Sequence, residues 1–231
     1  MIDKSRKHLS RKELIDQMVN IIAAIKRTHP VRVAIDGVDA AGKTTLANEL
    51  VDPLEKLGRD VIRVSIDEFH NPRTIRYQRG KDSPEGYFFD SYAYDALKES
   101  LLIPLGPDGS LQYRTSIFDF HTDSIVYSPK HHAGPNAILI FDGVFLLRSE
   151  LVNYWDFSAF LDVAFDVAVE RASQRDQFLF GSAQDVKERY WKRYIPGQKL
   201  YLKTCRPERH ADIIIDNKDP LKPCIIRSFR P

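Results

Sequence analysis

Apolar and polar residues along this chain form patterns that predict strands and helices in alternation. Over residues 12–26, apolar residues recur at three- and four-residue spacing, which predicts an amphipathic helix. Short apolar runs farther along predict buried strands, and segments of helical periodicity separate them. The predicted strands are 31–35, 60–67, 136–147, 158–165 and 211–217. The other predicted helices are 43–57, 91–105, 166–178 and 183–194.

Strands that alternate with helices favour an α/β fold with a doubly wound parallel sheet and helices on both faces. The exception lies near residues 104–135, where 110–120 alternates like one strand of a β-hairpin excursion. The sequence therefore predicts an N-terminal amphipathic helix within 1–29 and one α/β domain over 30–231.

Composition excludes several classes of partner. The chain has 231 residues, of which 43% are hydrophobic and 29% charged, as is typical of a globular protein. A net charge of +2 favours neither nucleic acid nor an anionic membrane surface. The basic, aromatic-containing segment 189–210 resembles nucleic-acid-binding segments in composition, but the nearly balanced charge of the whole chain argues against that partner.

The N-terminus is too polar for a signal peptide, and no apolar run approaches the ~18 residues of a membrane helix. We therefore expect a cytoplasmic protein without a membrane partner. A homo-oligomer is compatible with the sequence.

Residues 37–44 match the pattern G-x-x-x-x-G-K-[ST] at every fixed position. Small residues let the backbone turn several N–H groups toward one anion, and the following helix adds partial positive charge. Lys43 is expected to reach the β- and γ-phosphates, and the Thr44 hydroxyl to bind Mg²⁺. The residues predicted to bind nucleotide are Gly37, Val38, Asp39, Ala40, Ala41, Gly42, Lys43, Thr44 and Thr45.

GTPases, transport ATPases and small-molecule kinases all carry such a phosphate loop. The segment Asn217-Lys218-Asp219-Pro220 approaches the guanine motif N-K-x-D, but its acid comes one residue early. The sequence has no L-S-G-G-Q transporter signature and no D-x-x-G switch in a suitable place. A kinase of a small acceptor is therefore the leading class.

Two acids close apolar strands beside the phosphate loop. In a doubly wound sheet, ligands lie at the carboxyl ends of the strands. Asp67 ends the run 60–67 and is assigned as the general base for an acceptor hydroxyl and as a neighbour of the metal. Asp142 ends the run AILIFD and is assigned to Mg²⁺, directly or through water. For each acid, capping of a turn or helix is the simpler alternative.

Six segments occur in an order that resembles the uridine kinase family of P-loop kinases, which is related to pantothenate kinases and phosphoribulokinases. They are GVDAAGKTTLANEL, SIDEFHNPR, GYFFDSYAYDAL, IFDGVFLLRSEL, VERASQRD and ADIIIDN. The resemblance covers about residues 30–217. The phosphate loop is specific only to the superfamily, whereas D-x-F-H and F-D-x-x-x-Y-D point to this family. The resemblance implies a P-loop NTPase fold, a helical lid near 171–195, ATP and Mg²⁺ as cofactors, and the 5′-hydroxyl of a nucleoside such as uridine as acceptor.

The resemblance also implies roles for individual residues. Asp67 matches the family's catalytic base, and Asp90 matches the acid that holds ribose hydroxyls. Arg171 and Arg175 match catalytic arginines of the lid helix. Because they are four residues apart, both can lie on one helix face and reach phosphate or ribose, with a solvated helix face as the alternative. Arg73 is expected over the acceptor or on the surface.

The chain departs from the family pattern in two places. The family's hairpin has a segment Tyr-Asp-Phe-x-x-His that helps hold the base, whereas residues 118–123 read Phe-Asp-Phe-His-Thr-Asp. Phe118 can stack on a ring but cannot donate a hydrogen bond, and Asp123 stands in place of the histidine. The lid's Arg-Gly-Arg is replaced by 180–182, Phe-Gly-Ser. Phe118, Asp119 and Asp123 are still predicted to bind the acceptor, which can be polyhydroxylated or cationic as well as uridine.

Two alternatives remain open from the sequence. The first is a kinase of the same fold with another acceptor, such as pantothenate, a sugar phosphate or nicotinamide riboside. The second is a nucleotide-binding regulator without phosphoryl transfer. The presence of Lys43, Thr44, Asp67 and Asp142 argues against the regulator. The sequence does not distinguish ATP from GTP, nor does it show what the N-terminal helix contacts.

Overall fold

A computed structural model describes residues 8–228 of the chain. The strands are β1 (Val31–Gly37), β2 (Val61–Ser65), β3 (Gln112–Tyr113), β4 (Phe118–Asp119), β5 (Ser124–Ile125), β6 (His131–His132), β7 (Ile138–Asp142), β8 (Phe157–Asp162), β9 (Ile213–Asp216) and β10 (Cys224–Ser228). The helices are α1 (Arg11–Ala24), α2 (Lys43–Glu49), α3 (Val51–Glu55), α4 (Arg73–Arg76), α5 (Pro84–Asp90), α6 (Tyr94–Leu97), α7 (Phe165–Arg175), α8 (Gln177–Phe180), α9 (Ala183–Arg189) and α10 (Ile195–Cys205). Shorter segments are 3₁₀ at Ile66–Phe69, Val152–Tyr154 and Pro207–Arg209, and π-helical at Lys98–Leu102 and Tyr190–Tyr194.

The main sheet has six strands in the order β10-β9-β8-β1-β7-β2. The pairs β9–β8, β8–β1, β1–β7 and β7–β2 are parallel, which confirms the predicted parallel sheet. The edge strand β10 pairs antiparallel with β9 and was not predicted. Asp142 of β7 lies beside Ile35 of β1 and Ser65 of β2. The carboxyl ends of these three strands therefore meet at one edge of the sheet.

Helices cover both faces of the sheet, as predicted. On one face, Val33 and Ile140 pack with apolar side chains of α1, α2 and α3. On the other face, Ala34 and Leu139 pack with side chains of α5, α6 and α10. Neighbouring residues of one strand thus enter opposite cores, as the two-residue period of a strand requires. Because both faces are buried, apolar residues predominate in the central strands, and Arg32 and Asp36 of β1 are buried exceptions.

The helix α1 packs on this domain through its apolar face. The Ser10 side chain accepts a hydrogen bond from the Glu13 amide, and the Glu13 side chain accepts one from the Ser10 amide, which forms a capping box. Leu14, Met18 and Ile22 are buried in the same core as β1. The described part of the predicted 1–29 segment is thus continuous with the domain core, and residues 1–7 of that segment lie outside the described residues.

The predicted excursion within 104–135 is confirmed, but it consists of two short ladders. β3 pairs antiparallel with β6, and β4 pairs antiparallel with β5. The single strand expected over 110–120 is therefore interrupted. Between β3 and β4, the Ile117 amide donates to the Glu68 carbonyl at 3.1 Å instead of to a ladder partner. That bond holds β4 close to the 3₁₀ segment that follows β2.

Among the helices that were not predicted, α5 and α10 have proline and glycine near their starts, which lower the helical signal. Pro84 lies in the first turn of α5, where the missing N–H costs no intrahelical hydrogen bond, and Pro196 lies at the start of α10, directly after the π-helical segment Tyr190–Tyr194. A Cβ at Gly197 would lie 2.8 Å from Cδ1 of Tyr87, so the glycine allows α10 to approach α5. No helix within residues 8–228 is long and apolar enough to cross a bilayer.

Candidate active site

The phosphate loop leaves β1 and turns into α2. Gly42 has a φ of 92°, and a Cβ at this position would lie 2.8 Å from Nδ2 of Asn217. A side chain is therefore excluded by both the backbone conformation and the available space. Lys43 is buried, and its Nζ donates to the Val38 carbonyl at 2.7 Å. The ammonium group is thus held by the backbone of the loop, and its contact with the β- and γ-phosphates stays a prediction.

Thr44 and Asp142 meet directly beside the loop. The Thr44 hydroxyl donates to Oδ2 of Asp142 at 2.5 Å, and Nη2 of Arg63 donates to Oδ1 at 2.7 Å. Only 2% of Asp142 is exposed. Mg²⁺ sites of this kind use one or two protein oxygens and take the remaining ligands from water and phosphate. The hydroxyl and carboxylate together are such a donor set, so the residues predicted to hold Mg²⁺ fit that ion.

Asp67 lies in the 3₁₀ segment after β2, and its carboxylate faces a cavity. Solvent reaches the side chain through this cavity, although protein groups surround its other sides. The hydroxyl of Tyr92 lies 3.5 Å from Oδ1. Burial raises the pKa of Asp67, and the negative charge of Asp142 raises it further. A raised pKa makes this carboxylate a stronger base than an ordinary aspartate.

The cavity beside Asp67, called the large cavity below, has a volume of about 530 Å³. It lies between the 3₁₀ segment, the β4–β5 ladder and the helices from α7 to the π-helical segment. Phe118 and Asp119, which were predicted to bind the acceptor, line this space together with Asp67. Arg175, which was predicted to reach phosphate or ribose, also lines it. Three distant parts of the chain therefore converge on one site.

Asp39 was predicted to bind nucleotide as part of the phosphate loop, but its place in the lining of this cavity was not expected. The Asp39 amide donates to Oε1 of Gln198 at 2.9 Å, and Nε2 of Gln198 donates back to Oδ2 at 2.9 Å. The Tyr87 hydroxyl donates to the same oxygen at 2.7 Å. Burial raises the pKa of Asp39, and the charge of Lys43 opposes that shift. The signal in the sequence was an acid at a variable position of a loop that is otherwise built of small residues.

His70 is a second cavity residue that was not predicted. Its Nδ1 lies 2.8 Å from the Asp67 carbonyl, and its ring lies 4.6 Å from the ring centroids of Tyr92 and Phe120. Burial lowers the pKa of His70 to about 4, so the ring is neutral near pH 7. Because a carbonyl only accepts hydrogen bonds, Nδ1 carries the proton and Nε2 is an acceptor. The His of the D-x-F-H segment was the signal for this residue.

The two lid arginines contact different groups beside the phosphate loop. Nε and Nη2 of Arg175 donate to the two carboxylate oxygens of Asp176 at 2.6 and 3.0 Å. The Tyr190 hydroxyl also donates to Asp176 at 2.8 Å. Nη2 of Arg171 instead donates to the carbonyls of Asn217 and Lys218, both at 2.9 Å. Arg175 therefore reaches the large cavity, whereas Arg171 joins the lid helix to the loop after β9.

A second cavity, of about 240 Å³, lies on the other side of the phosphate loop. It is lined by Arg11, Ala40, Gly42, Thr45, Arg171, Arg175, Asn217 and Pro220. Arg175 lines both this cavity and the large one. The position of Arg175 thus marks where the two spaces meet beside the loop.

Among the described residues that line the large cavity, four of the residues predicted to bind the acceptor are missing: Arg73, Asp90, Asp123 and Arg171. Nε of Arg79 donates to the Asp90 carboxylate at 2.8 Å. Nη2 of Arg76 donates to the Asp123 carboxylate at 2.7 Å, and the Arg73 amide donates to it at 3.1 Å. Arg73 itself lines a neighbouring groove. Binding of the acceptor by these four residues stays a prediction.

Proteins named as uridine kinases, or as a possible uridine kinase, are similar to this chain in sequence and in structure. The uridine kinase of Lactobacillus helveticus is 27% identical over 197 residues, which cover 82% of this chain and 88% of that protein. Uridine-cytidine kinase B of Dictyostelium discoideum is 26% identical over 191 residues, which cover 81% of this chain and 74% of that protein. The structure of a possible uridine kinase from Bacillus stearothermophilus superposes with a TM-score of 0.70 at 24% identity, over 88% of this chain and 97% of that one. The model of the Phosphoribulokinase / Uridine kinase family matches residues 32–219, and the chain therefore belongs to this family of P-loop kinases.

Proposed function

We propose that this protein transfers the γ-phosphate of ATP to the 5′-hydroxyl of a nucleoside such as uridine. The observation that carries the proposal is the position of Asp67, a carboxylate of raised pKa that lines the large cavity near the phosphate loop. Family membership supports ATP-dependent phosphorylation of a small molecule. The relatives named as uridine kinases support the nucleoside as acceptor.

The two cavities suggest where each substrate binds. Phosphates belong at the loop that holds Lys43, between the two spaces. The acceptor would then occupy the 530 Å³ cavity with Asp67, and the base and ribose of ATP the 240 Å³ cavity on the opposite side. Arg175, which lines both, would lie next to the phosphoryl group during transfer.

In the proposed reaction, Asp67 accepts the proton of the acceptor hydroxyl as its oxygen bonds to the γ-phosphorus. The bond between that phosphorus and the β–γ bridging oxygen breaks, and ADP leaves. Lys43 and the loop amides hold the phosphates in line with the hydroxyl. Thr44 and Asp142 would hold Mg²⁺, which offsets the negative charge of the phosphates when bound. Arg175 stabilises the charge on the transferred group and helps exclude water.

The lining of the large cavity is compatible with a nucleoside. Phe118 is an aromatic surface on which a base can stack. The carboxylates of Asp39 and Asp119 can accept hydrogen bonds from ribose hydroxyls, and neutral His70 adds a further acceptor. These hydrogen-bond acceptors also suit other polyhydroxylated molecules. The test therefore compares several molecules as acceptor of the phosphoryl group.

The test is ADP release with Mg·ATP against nucleosides, pantothenate and sugar phosphates, with mass detection of the product. Release that requires uridine or cytidine supports the proposal. Release only with another acceptor keeps the kinase but overturns the nucleoside. Bound ATP without product from any acceptor favours a regulator.

In parallel, Asp67→Asn should lower turnover by roughly 10²–10⁴-fold while ATP affinity stays the same. Asp52→Asn, an exposed acid on α3, is the matched control and should be fully active.

A further inference from the structure

The N-terminal helix α1 lies before the family match, which begins at residue 32. Its first residue, Arg11, nevertheless lines the 240 Å³ cavity beside the phosphate loop. A segment outside the family's shared region therefore contributes a side chain to the space that the proposed function assigns to the base and ribose of ATP.

Arg11 is held by contacts to two elements of the nucleotide side. Its Nε donates to Oε2 of Glu49 at 2.8 Å, and its Nη2 lies 2.6 Å from the same oxygen in an ion pair. Glu49 ends the helix that begins with Lys43. Its Nη1 donates to Oδ1 of Asn217 at 3.3 Å. Only 16% of the Arg11 side chain is exposed. The guanidinium group is thus fixed in place at the wall of the cavity.

Asn217 connects Arg11 to the phosphate loop. It is 1% exposed, and its Nδ2 donates to the Ala41 carbonyl at 2.7 Å. Its own carbonyl accepts from Nη2 of Arg171. Arg11, Asn217 and the loop therefore form one hydrogen-bonded chain along the wall of the cavity.

The position of Arg11 is set by the fold. The capping box at Ser10 fixes the start of α1, and the Leu9 amide donates to the Pro223 carbonyl at 2.9 Å. The buried side chains of Leu14 and Met18 anchor the first turns of the helix in the core. A side chain on a rigid element is well suited to hold a ligand in one position.

We propose that α1 is part of the nucleotide site and that Arg11 binds the base and ribose end of the nucleotide. Glu49 balances the charge of Arg11, so the expected contribution is directional: stacking of the planar guanidinium group and hydrogen bonds to ribose or base. This inference rests on the proposed binding of ATP, but it is independent of the identity of the acceptor.

The test is calorimetric titration of the folded protein with Mg·ATP and Mg·ADP without acceptor. Arg11→Ala should raise both dissociation constants about tenfold, which corresponds to about 1.4 kcal/mol. Arg11→Lys should restore little, because an ammonium group lacks the planar fork. Lys12→Ala is the matched control: Lys12 is the next residue of the helix, its side chain is 84% exposed, and its substitution should leave affinity unchanged.

A purely structural role for Arg11 predicts a different result. It would lower the melting temperature of the free protein and leave the dissociation constants unchanged at a temperature where the variant is folded, which would overturn the inference. If Arg11→Ala does not fold, Arg11→Gln and Glu49→Gln are titrated instead. Unchanged affinity for Mg·ATP and Mg·ADP in both variants would equally overturn the inference. Wild-type protein that binds neither nucleotide would remove the proposed function itself.

Discussion

Asp36 is a wholly buried acid where β1 meets the phosphate loop, and its substitution by asparagine should change how stability depends on pH. Its carboxylate accepts hydrogen bonds from the Tyr201 hydroxyl and from the amides of Gly37 at 2.7 Å and Leu147 at 3.2 Å. Burial raises its pKa from 3.8 to about 6, even though these hydrogen bonds favour the charged form. Through these hydrogen bonds, the Asp36 carboxylate connects the phosphate loop, the turn after β7 and α10.

The direction of the effect follows from the difference between the folded and unfolded pKa. Because the folded pKa of Asp36 is higher, its contribution to stability is fully present below pH 3.8 and is lost as the pH rises through about 6. The difference between a folded pKa of about 6 and an unfolded pKa of 3.8 corresponds to about 3 kcal/mol in the free energy of unfolding. Between about pH 4.5 and pH 7.5, the linkage relation gives a loss of about 2 kcal/mol.

The assay is urea unfolding of wild type and Asp36→Asn at several pH values. Asparagine does not titrate, so the wild type should lose about 2 kcal/mol relative to the variant as the pH rises across that range. The absolute stability of the variant also changes, but only the difference in slope tests the argument. Parallel profiles for the two proteins would refute it. In Tyr201→Phe, the free energy of unfolding should fall more steeply with pH than in the wild type, because the substitution removes a hydrogen bond that lowers the pKa of Asp36.

Three further predictions concern activity. Because the pKa of Asp67 is raised, kcat/KM should fall on acidification with an apparent pKa above 3.8, and a pH–rate profile that is flat down to about pH 4 would contradict this. Asp142→Asn should increase the Mg²⁺ concentration for half-maximal rate about tenfold or more, measured by Mg²⁺ titration at fixed ATP; an unchanged midpoint would remove Asp142 from the metal site. Asp176→Asn releases Arg175 from its bidentate partner and should lower kcat about tenfold while the KM for ATP stays within about twofold, whereas an unchanged kcat would argue against Arg175 in the transfer step.

Several features of this protein could be predicted because they are local in sequence. The phosphate loop is eight consecutive residues whose glycines and following helix define its shape, and Lys43 and Thr44 lie where the motif places them. The strand and helix periods predicted the parallel sheet, and the sheet in turn placed Asp67 and Asp142 at the same edge.

Other features depended on which segments pair and pack. The alternation over 110–120 predicted one strand and did not show that its two halves are separate strands with different partners. Arg171 and Arg175 are one helical turn apart, yet their side chains diverge because one meets backbone carbonyls and the other meets Asp176. Side-chain direction beyond the helical period is decided by such neighbours.

The sequence by itself determined the fold class, the phosphate loop and the two acids at the strand ends, because each follows from short-range periodicity or from a contiguous motif. Only the tertiary structure decided that Asp39 lines the 530 Å³ cavity and that Arg11 lines the 240 Å³ cavity. Arg11 contacts Asn217 across 206 positions of the chain. No local pattern encodes a contact of that separation, since it exists only after two apolar cores have packed and brought the helix and the strand end together.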